Sequence, residues 1–389
     1  MRDLVLWFGN PQGLHHLYHR FLPLARELSS YNLKLAYVGS DENARIVREQ
    51  GYQAYSIPMV SLYETAYGFD PVLNAINLFF PTGKESMLST FRKSYVAERE
   101  LLYKLKDELA LVVVDQEPAS TLLCYKQRKV TACKWVLLTN ILPNTRFDLL
   151  TQSMTLMLSY LFKKFMSSFD LIVDNDFKPP YSLSQTLSVD EEIEGKLLFM
   201  PFYYREEKGL EKREEELIRL ASNKKVLFIS CTGPVRLKMI FARKTRDLYP
   251  EILKHYDLII KTYGEPSIER SVLTSENLKL AVLPFLSRKA RIELMSKASV
   301  FLSPASLGNI LDCVYARVPI VAVPMQQEQK LNAKRIQELG IGAKSSFDEL
   351  AEKLMEVERN RSYYYSNLCK LRSMMVSAKE VAKKLVSLV

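Results

Sequence analysis

Short apolar runs alternate with segments of helical periodicity along the whole chain. The runs are rich in β-branched residues and most are apolar on both faces, which is typical of parallel strands covered by helices on each side. The segments between them place apolar residues three and four positions apart, as an amphipathic helix does. Strands are therefore predicted at 4–9, 33–39, 109–115, 134–140 and 171–175 in the first half, and at 224–230, 256–264, 278–285, 298–303 and 318–324 in the second.

This alternation predicts an α/β fold with two Rossmann-like, doubly wound parallel sheets that face each other across a cleft. We place the first domain at 1–177, a linker with a charged connector helix at 178–222, and the second domain at 223–360. The last segment, 361–389, predicts a helix that crosses back to the first domain. Ligands of open α/β sheets bind beyond the carboxyl ends of the strands, so the cleft is the predicted active site.

Composition excludes several kinds of site. The five cysteines are scattered without a C-x-x-C spacing and only four histidines occur, so we expect neither a disulfide framework nor a metal site. This cysteine usage suits a reducing compartment, and no basic leader followed by an apolar stretch is visible, which together predict a cytoplasmic protein. The net charge of +10 suits an anionic ligand or a solvated basic surface. No nucleic-acid-binding motif occurs, so nucleic acid is not an expected partner.

The most informative segment is 298–342, which predicts a strand, a helix and closely spaced polar residues. Asp312 lies five or six residues into the predicted helix. A carboxylate at this place can accept two hydroxyl hydrogens from a ribose, and the alternative is an ordinary exposed acid on a helix. The start of that helix, at 306–309, offers backbone amides and the positive end of the helix dipole to a diphosphate. The pair Glu328–Gln329 supplies both the acceptors and the donors that a polyol needs.

This segment resembles the donor-binding segment of the two-domain GT-B glycosyltransferases, which use nucleotide sugars. The nearer branches are the UDP-glycosyltransferases and the lipid-linked transferases resembling MurG. The resemblance implies that the first domain binds the acceptor and the second the nucleotide sugar, that Asp312 holds the ribose, and that Glu328 and Gln329 hold the sugar. It is carried by Asp312, Val318–Pro319, Pro324, Glu328, Gln329, Asn332–Ala333, Gly340 and Gly342.

Two shorter segments add to the resemblance. The turn after the strand at 224–230 contains Thr232 and Gly233, where the family has a loop that faces the phosphates. Residues 282–299 resemble the segment that cradles the base, with Phe285 or Leu286 at the edge of that base. The alternative for Phe285 is a place in the core. The residues predicted to bind the donor are therefore Thr232, Gly233, Phe285, Ser306, Leu307, Gly308, Asn309, Asp312, Glu328 and Gln329.

The chain departs from the family pattern at the diphosphate-binding turn. Pro304, Ala305 and Ser306 stand where the family usually has His, Gly and Gly, and Arg317 stands where it has Gly. Pro304 has no N–H to offer a diphosphate, whereas the amides of 305–309 keep theirs. Arg317 is predicted either to contact a phosphate or to be a surface charge.

Three of the four histidines, His15, His16 and His19, follow the first predicted strand. A neutral imidazole can take a proton from an attacking hydroxyl, and the resemblance favours His16, then His15, as this base. A structural role for the whole cluster is the alternative. Asp115, at the end of another predicted strand, is predicted either to orient His16 and raise its basicity or to cap the helix that follows.

The acceptor side is less defined. Residues 59–95 and 149–169 are rich in aromatic and apolar side chains. They suit a lipid-linked or otherwise apolar acceptor with a peripheral membrane contact, and they suit ordinary core packing equally well.

The residues and the resemblance together predict an inverting, metal-independent glycosyltransferase whose donor is a nucleotide-diphosphate sugar, with uridine as the expected base. We expect no cofactor beyond this co-substrate, and the acceptor and the oligomeric state are left open. One alternative is a non-catalytic GT-B-like subunit or nucleotide-sugar-binding protein, which the departures at Pro304 and Arg317 favour. A second alternative is a sugar-nucleotide 2-epimerase, which shares the two-domain architecture.

Overall fold

The structure is a computed structural model. It describes residues 2–10, 16–60, 64–65, 68–69, 86–139, 163–184, 191–203, 209–233, 235–263, 279–283 and 285–389. Three of the predictions fall on other residues and therefore lie outside the described ones: His15, most of the aromatic stretch 59–95, and the greater part of 149–169. None of the described helices is long and apolar enough to cross a membrane.

The first half of the chain builds a parallel sheet of seven strands. Its strands are β1 (Leu4–Phe8), β2 (Lys34–Gly39), β3 (Gln53–Ser56), β6 (Leu109–Asp115), β7 (Lys134–Thr139), β8 (Leu171–Asp174) and β9 (Leu197–Phe199), and β4 (Glu64–Thr65) and β5 (Gly68–Phe69) form a separate antiparallel pair. The order across the sheet is β3-β2-β1-β6-β7-β8-β9. Both β1 and β6 are buried along their whole length because helices cover both faces, as their apolar sequences predict.

The helices of this half lie on both sides of the sheet. They are a π-helical turn (Leu17–Phe21) that continues into α1 (Leu22–Ser29), then α2 (Asp41–Glu49), α3 (Met87–Leu105), α4 (Pro118–Gln127) with the 3₁₀ turn Arg128–Val130, and α5 (Glu191–Glu194). On one face Trp7 packs edge-on against Phe21, with ring centroids 5.3 Å apart. On the other face Trp135 and Phe169 are buried beside α3 and α4.

A pair of buried carboxyl groups lies where α3 meets α4. Glu98 on α3 and Glu117, the N-cap residue of α4, are both fully buried. The Glu117 carboxylate accepts a hydrogen bond from the backbone N–H of Ser120, which caps the helix. Burial, and then the charge of Glu117, raise the pKa of Glu98 well above its ordinary value. The folded chain therefore binds a proton at Glu98 more tightly than the unfolded chain does.

The second half builds a parallel sheet of six strands. These are β11 (Val226–Ser230), β12 (Leu258–Thr262), β13 (Leu280–Leu283), β14 (Ala298–Ser303), β15 (Ile320–Ala322) and β16 (Gly342–Lys344), in the order β13-β12-β11-β14-β15-β16. The helices are α6 (Lys212–Ala221), α7 (Val235–Asp247), α8 (Tyr249–Ile252), α9 (Arg288–Lys297), α10 (Leu307–Ala316), α11 (Gln327–Glu338), α12 (Leu350–Arg359), α13 (Arg361–Arg372) and α14 (Ala378–Val386).

The end of the chain returns to the first sheet. The short strand β10 (Phe202–Tyr203) pairs in parallel with β17 (Val376–Ser377). Helix α14 follows β17 and buries Val381 and Leu385 in the apolar core that contains Val5 and Trp7. Helix α13 instead packs into the core of the second sheet. The predicted domain boundaries at 177, 222 and 360 stay predictions.

Candidate functional site

His16 and Asp115 come together at the carboxyl edge of the first sheet. His16 directly precedes the π-helical turn that follows β1, and Asp115 is the last residue of the neighbouring strand β6. The imidazole Nδ1 lies 3.1 and 3.2 Å from the two carboxylate oxygens of Asp115. The alternative role predicted for Asp115, capping the next helix, is taken by Glu117.

Arg20 completes this group, although the sequence did not predict it as a site residue. Its guanidinium donates a short hydrogen bond to Oδ1 of Asp115, and the residue is buried. It lies one helical turn after His16, so both side chains reach the same carboxylate. The four-residue spacing on the first helix was the available signal, but an arginine at this position carries no specific motif.

The charges around Asp115 determine the protonation states. Burial alone would raise the pKa of Asp115, but the positive charge of Arg20 and then the contact with His16 outweigh it and lower the pKa. Burial lowers the pKa of His16, and the charge of Arg20 lowers it further against the opposing effect of Asp115. Because an ionised carboxylate can only accept, Nδ1 carries the hydrogen and donates it to Asp115. Nε2 then keeps the lone pair that a general base needs.

A cavity of about 60 Å³ separates this group from the second half of the chain. Helix α10 begins at the same cavity, and its N-cap residue Ser306 makes no capping hydrogen bond within the described part of the chain. Instead the Ser306 hydroxyl accepts a hydrogen bond of 2.6 Å from Thr232. The lining residues are His16, His19, Arg20, Asn175, Phe202, Tyr203, Arg288, Leu307, Gly308, Leu311 and Asp312.

Asp312 lies on α10 in contact with two arginines from α9. Oδ1 is 2.7 Å from the guanidinium of Arg288, and Oδ2 is 2.9 Å from Nε of Arg291. Burial would raise the pKa of Asp312, but the charges of the two arginines lower it, so the carboxylate is ionised. Neither arginine is among the residues that the sequence predicted for the site. Binding of the ribose by Asp312 stays a prediction.

Arg291 ties several elements of the second sheet together. Its remaining nitrogens donate to Oγ of Ser230 at 3.0 Å and to Oδ1 of Asn309 at 2.9 Å. Asn309 in turn donates through its amide to Oγ of Ser303 at 2.7 Å. The predicted site residue Asn309 thus connects its helix to the end of β14 directly and to the end of β11 through Arg291. Its backbone N–H, in the first turn of α10, has no carbonyl partner within the helix.

The predicted donor residues Phe285, Glu328 and Gln329 do not line this cavity. Gln329 is buried, and its amide oxygen accepts from the backbone N–H groups of Met325 and Gln326 at 2.9 and 3.0 Å. Glu328 is exposed and lies 3.4 Å from the amide of Asn332. The side chain of Phe285 is 64% exposed. Their contacts with a donor sugar or base stay predictions.

Two positions at which the family pattern has glycine adopt the left-handed backbone conformation that favours glycine. Ala305 and Arg317 adopt left-handed φ values of 72° and 57°, a conformation that glycine reaches without steric cost. Gly233, after β11, also has a positive φ of 114°. Arg317 ends α10, so it lies at the opposite end of the helix from 306–309.

Comparison with known proteins connects these observations to an activity class. No family model matches the chain. It is 23% identical over 385 residues to the NDP-glycosyltransferase YjiC of Bacillus subtilis strain 168, covering 92% of this chain and 89% of that protein. The crystal structure of the glycosyltransferase SnogD from Streptomyces nogalater is similar over the full length of both chains, with a TM-score of 0.65 and 18% identity.

A further solved structure is similar to the chain. It is the glycosyltransferase SsfS6 of Streptomyces sp. SF2575 in complex with thymidine diphosphate, with a TM-score of 0.61, 13% identity and 99% coverage of both chains. This likeness to solved structures confirms the predicted fold, two Rossmann-like parallel sheets.

Proposed function

We propose that this GT-B-fold chain is an enzyme, a glycosyltransferase that moves a sugar from a nucleotide-diphosphate sugar to an acceptor hydroxyl. The observation that carries the proposal is the cavity at which His16 and the first turn of α10 meet. A base on one wall and an uncapped helix N-terminus on the other suit the two ends of a displacement at an anomeric carbon. The whole-length similarity to a named NDP-glycosyltransferase supports the same class.

In this mechanism His16 acts on the acceptor. The hydroxyl oxygen attacks the anomeric carbon while Nε2 of His16 takes the hydroxyl proton. The new bond joins the acceptor oxygen to the sugar, and the bond between the sugar and the diphosphate breaks with its electron pair going to the phosphate oxygen. A single displacement of this kind inverts the configuration at the anomeric carbon.

Asp115 and Arg20 act through His16. The ionised carboxylate holds Nδ1–H and stabilises the imidazolium that forms when the proton arrives. Arg20 keeps Asp115 ionised, so the carboxylate cannot itself take the proton. The imidazole stays neutral until the acceptor binds, because burial and Arg20 both lower its pKa.

The diphosphate leaves at the N-terminus of α10. The backbone N–H groups of Leu307, Gly308 and Asn309 lie in the first helical turn and have no carbonyl partner within the helix. These donors and the helix dipole stabilise the negative charge that develops on the departing oxygen. No divalent metal takes part in this scheme, so EDTA should leave the rate unchanged.

The test combines binding with turnover. The purified chain is titrated with UDP and with TDP, and transfer from the corresponding sugar nucleotides is measured with a panel of hydroxyl acceptors. We expect binding of at least one diphosphate, and in His16→Ala a loss of rate of about 10²–10⁴-fold with binding retained. His255→Ala, which removes a histidine of the second half, is the matched control.

Each alternative gives a different result. Binding without transfer to any acceptor would favour a non-catalytic binding subunit. Formation of free or epimerised sugar without an acceptor would favour a 2-epimerase. Absence of binding to either diphosphate would refute the proposal.

A further inference from the structure

The environment of Asp312 differs from that of an acid waiting for a ribose. The residue is 3% exposed, and each of its oxygens already accepts from one arginine. A ribose hydroxyl would have to reach the remaining lone pairs past the side chains of Arg288 and Arg291. Two guanidinium groups on one carboxylate also leave a net charge of +1 in a partly buried place, which favours an anion beside them.

The two arginines have different surroundings. Arg291 donates to the side chains of Asp312, Ser230 and Asn309. It does not line the cavity. Arg288 does line the cavity, together with Leu307 and Gly308 of the first turn of α10. Arg291 therefore fixes the carboxylate, and the carboxylate fixes Arg288 at the cavity wall.

Arg288 also reaches across the cavity. Its guanidinium lies 3.3 Å from Nδ1 of His19, on the turn that follows β1. Since a guanidinium only donates, His19 accepts this hydrogen as a neutral imidazole. A phosphate oxygen is a stronger acceptor for a guanidinium than a neutral imidazole is, so a diphosphate in the cavity can replace this contact.

We propose that Arg288 binds an anionic oxygen of the donor's diphosphate, and that Asp312 is a positioning residue for Arg288 rather than an acceptor for the ribose hydroxyls. The assignment rests on the proposed function, because it requires a donor with a diphosphate. Arg288 would supply a charged hydrogen-bond donor on the second half of the chain, where Pro304 has no N–H to offer. Arg288 and the amides of α10 would then hold the diphosphate from two sides.

The first experiment tests whether the effect of Arg288 on binding depends on the number of phosphates in the nucleotide. Calorimetric titrations compare UDP or TDP, whichever binds the wild-type chain more tightly, with its monophosphate. Arg288→Gln should weaken the diphosphate by about 10- to 100-fold and the monophosphate less, because one charge-assisted hydrogen bond is lost. Arg288→Lys, which keeps the charge, should fall between. Arg317→Gln, an exposed arginine at the far end of α10, should bind within about twofold of wild type.

The second experiment decides the role of Asp312. Asp312→Asn and the wild-type chain are titrated with the same diphosphate and with its analogue that lacks the ribose hydroxyls. A positioning role predicts that the substitution changes both affinities by the same factor. If the substitution weakens only the nucleotide that carries the hydroxyls, Asp312 binds the ribose and the inference is overturned.

The outcomes also separate this inference from the proposed function. If the wild-type chain binds a diphosphate and Arg288→Gln and Arg288→Lys, both folded by thermal melting, bind it equally well, the inference fails and the proposed function stands. If the wild-type chain binds neither UDP nor TDP, both fail.

Discussion

At the scale of single residues, the protonation of His16 depends on how His16 and Arg20 share the carboxylate of Asp115. Arg20 and His16 both contact Asp115, but they compete electrostatically, because the charge of Arg20 opposes protonation of His16. The contact of Nδ1–H with Asp115 instead raises the pKa of His16. The basicity of His16 is thus set by the balance between one neighbour of each sign and by burial.

Arg20→Gln should raise the pKa of His16, because it removes a positive charge that lowers it. A proton-accepting role for His16 would then be lost at a higher pH than in the wild-type chain. The measurement is an NMR titration of the imidazole resonances, assigned with His16→Ala, which needs no knowledge of the substrate.

Arg26→Gln is the control for Arg20→Gln, because Arg26 is an exposed arginine on the same helical stretch. It should leave the His16 titration unchanged. An identical His16 titration in Arg20→Gln and wild type would contradict the balance described above.

At the scale of secondary-structure elements, the contact between α3 and α4 includes the buried carboxyl group of Glu98. The folded chain holds a proton on Glu98 more tightly than the unfolded chain does, since the pKa of Glu98 is raised on folding. The stabilisation is complete below the ordinary pKa of a glutamate and is lost as the pH rises through the raised value. The contact between α3 and α4 therefore contributes less to the free energy of unfolding at alkaline pH.

Glu98→Gln should remove much of this pH dependence, because glutamine resembles the protonated acid at every pH. Urea denaturation at pH 5 and pH 8 should show a smaller decrease in the free energy of unfolding for the variant than for wild type. Glu100→Gln, an exposed position on the same helix, should follow the wild type. A decrease as large in Glu98→Gln as in wild type would exclude this origin of the pH dependence.

Elements of this chain were easier to predict than the contacts between them. Strands such as β6 and β14 followed from apolar runs, because a buried parallel strand needs apolar residues on both faces. The meeting of His16 with Asp115 was one of two predicted alternatives, and only the packing of β6 beside β1 distinguishes them.

The arginines of the site could not be predicted in the same way. Arg20, Arg288 and Arg291 are defined by partners 95, 24 and 21 positions away or by a cavity between sheets, and no local pattern specifies such distances. The left-handed backbone at Ala305 and Arg317 was not predicted either, because neither residue type favours that conformation.

At the scale of the whole molecule, the last helix binds the two halves of the chain together. Helix α13 packs in the second core and α14 in the first. At the end of α13, the guanidinium of Arg372 lies 4.3 Å from the ring centre of Tyr203 and 4.0 Å from that of Tyr315. Tyr203 lines the cavity and Tyr315 is on α10, so this crossing lies directly beside the candidate site.

Leu385→Ala should destabilise the first sheet although it lies near the end of the chain. Removing this fully buried side chain should cost about 2–5 kcal/mol in the free energy of unfolding. Hydrogen exchange should increase first in β1 and β2, which share its core. Lys384→Ala, an exposed neighbour on α14, should change the stability by less than about 0.5 kcal/mol. Faster exchange confined to β11 and β14 would contradict this coupling.

The return of α14 has a consequence for how the protein is made. A ribosome synthesises the seven-stranded sheet long before residues 378–386, yet those residues complete the apolar surface around Val5 and Trp7. An N-terminal unit usually folds while the rest of the chain is still being translated. The first half of this chain cannot complete its apolar core in that period, because α14 has not yet been made. During synthesis of the second half, the nascent chain carries an uncovered apolar face, and we expect chaperones to bind the surface that α14 later occupies.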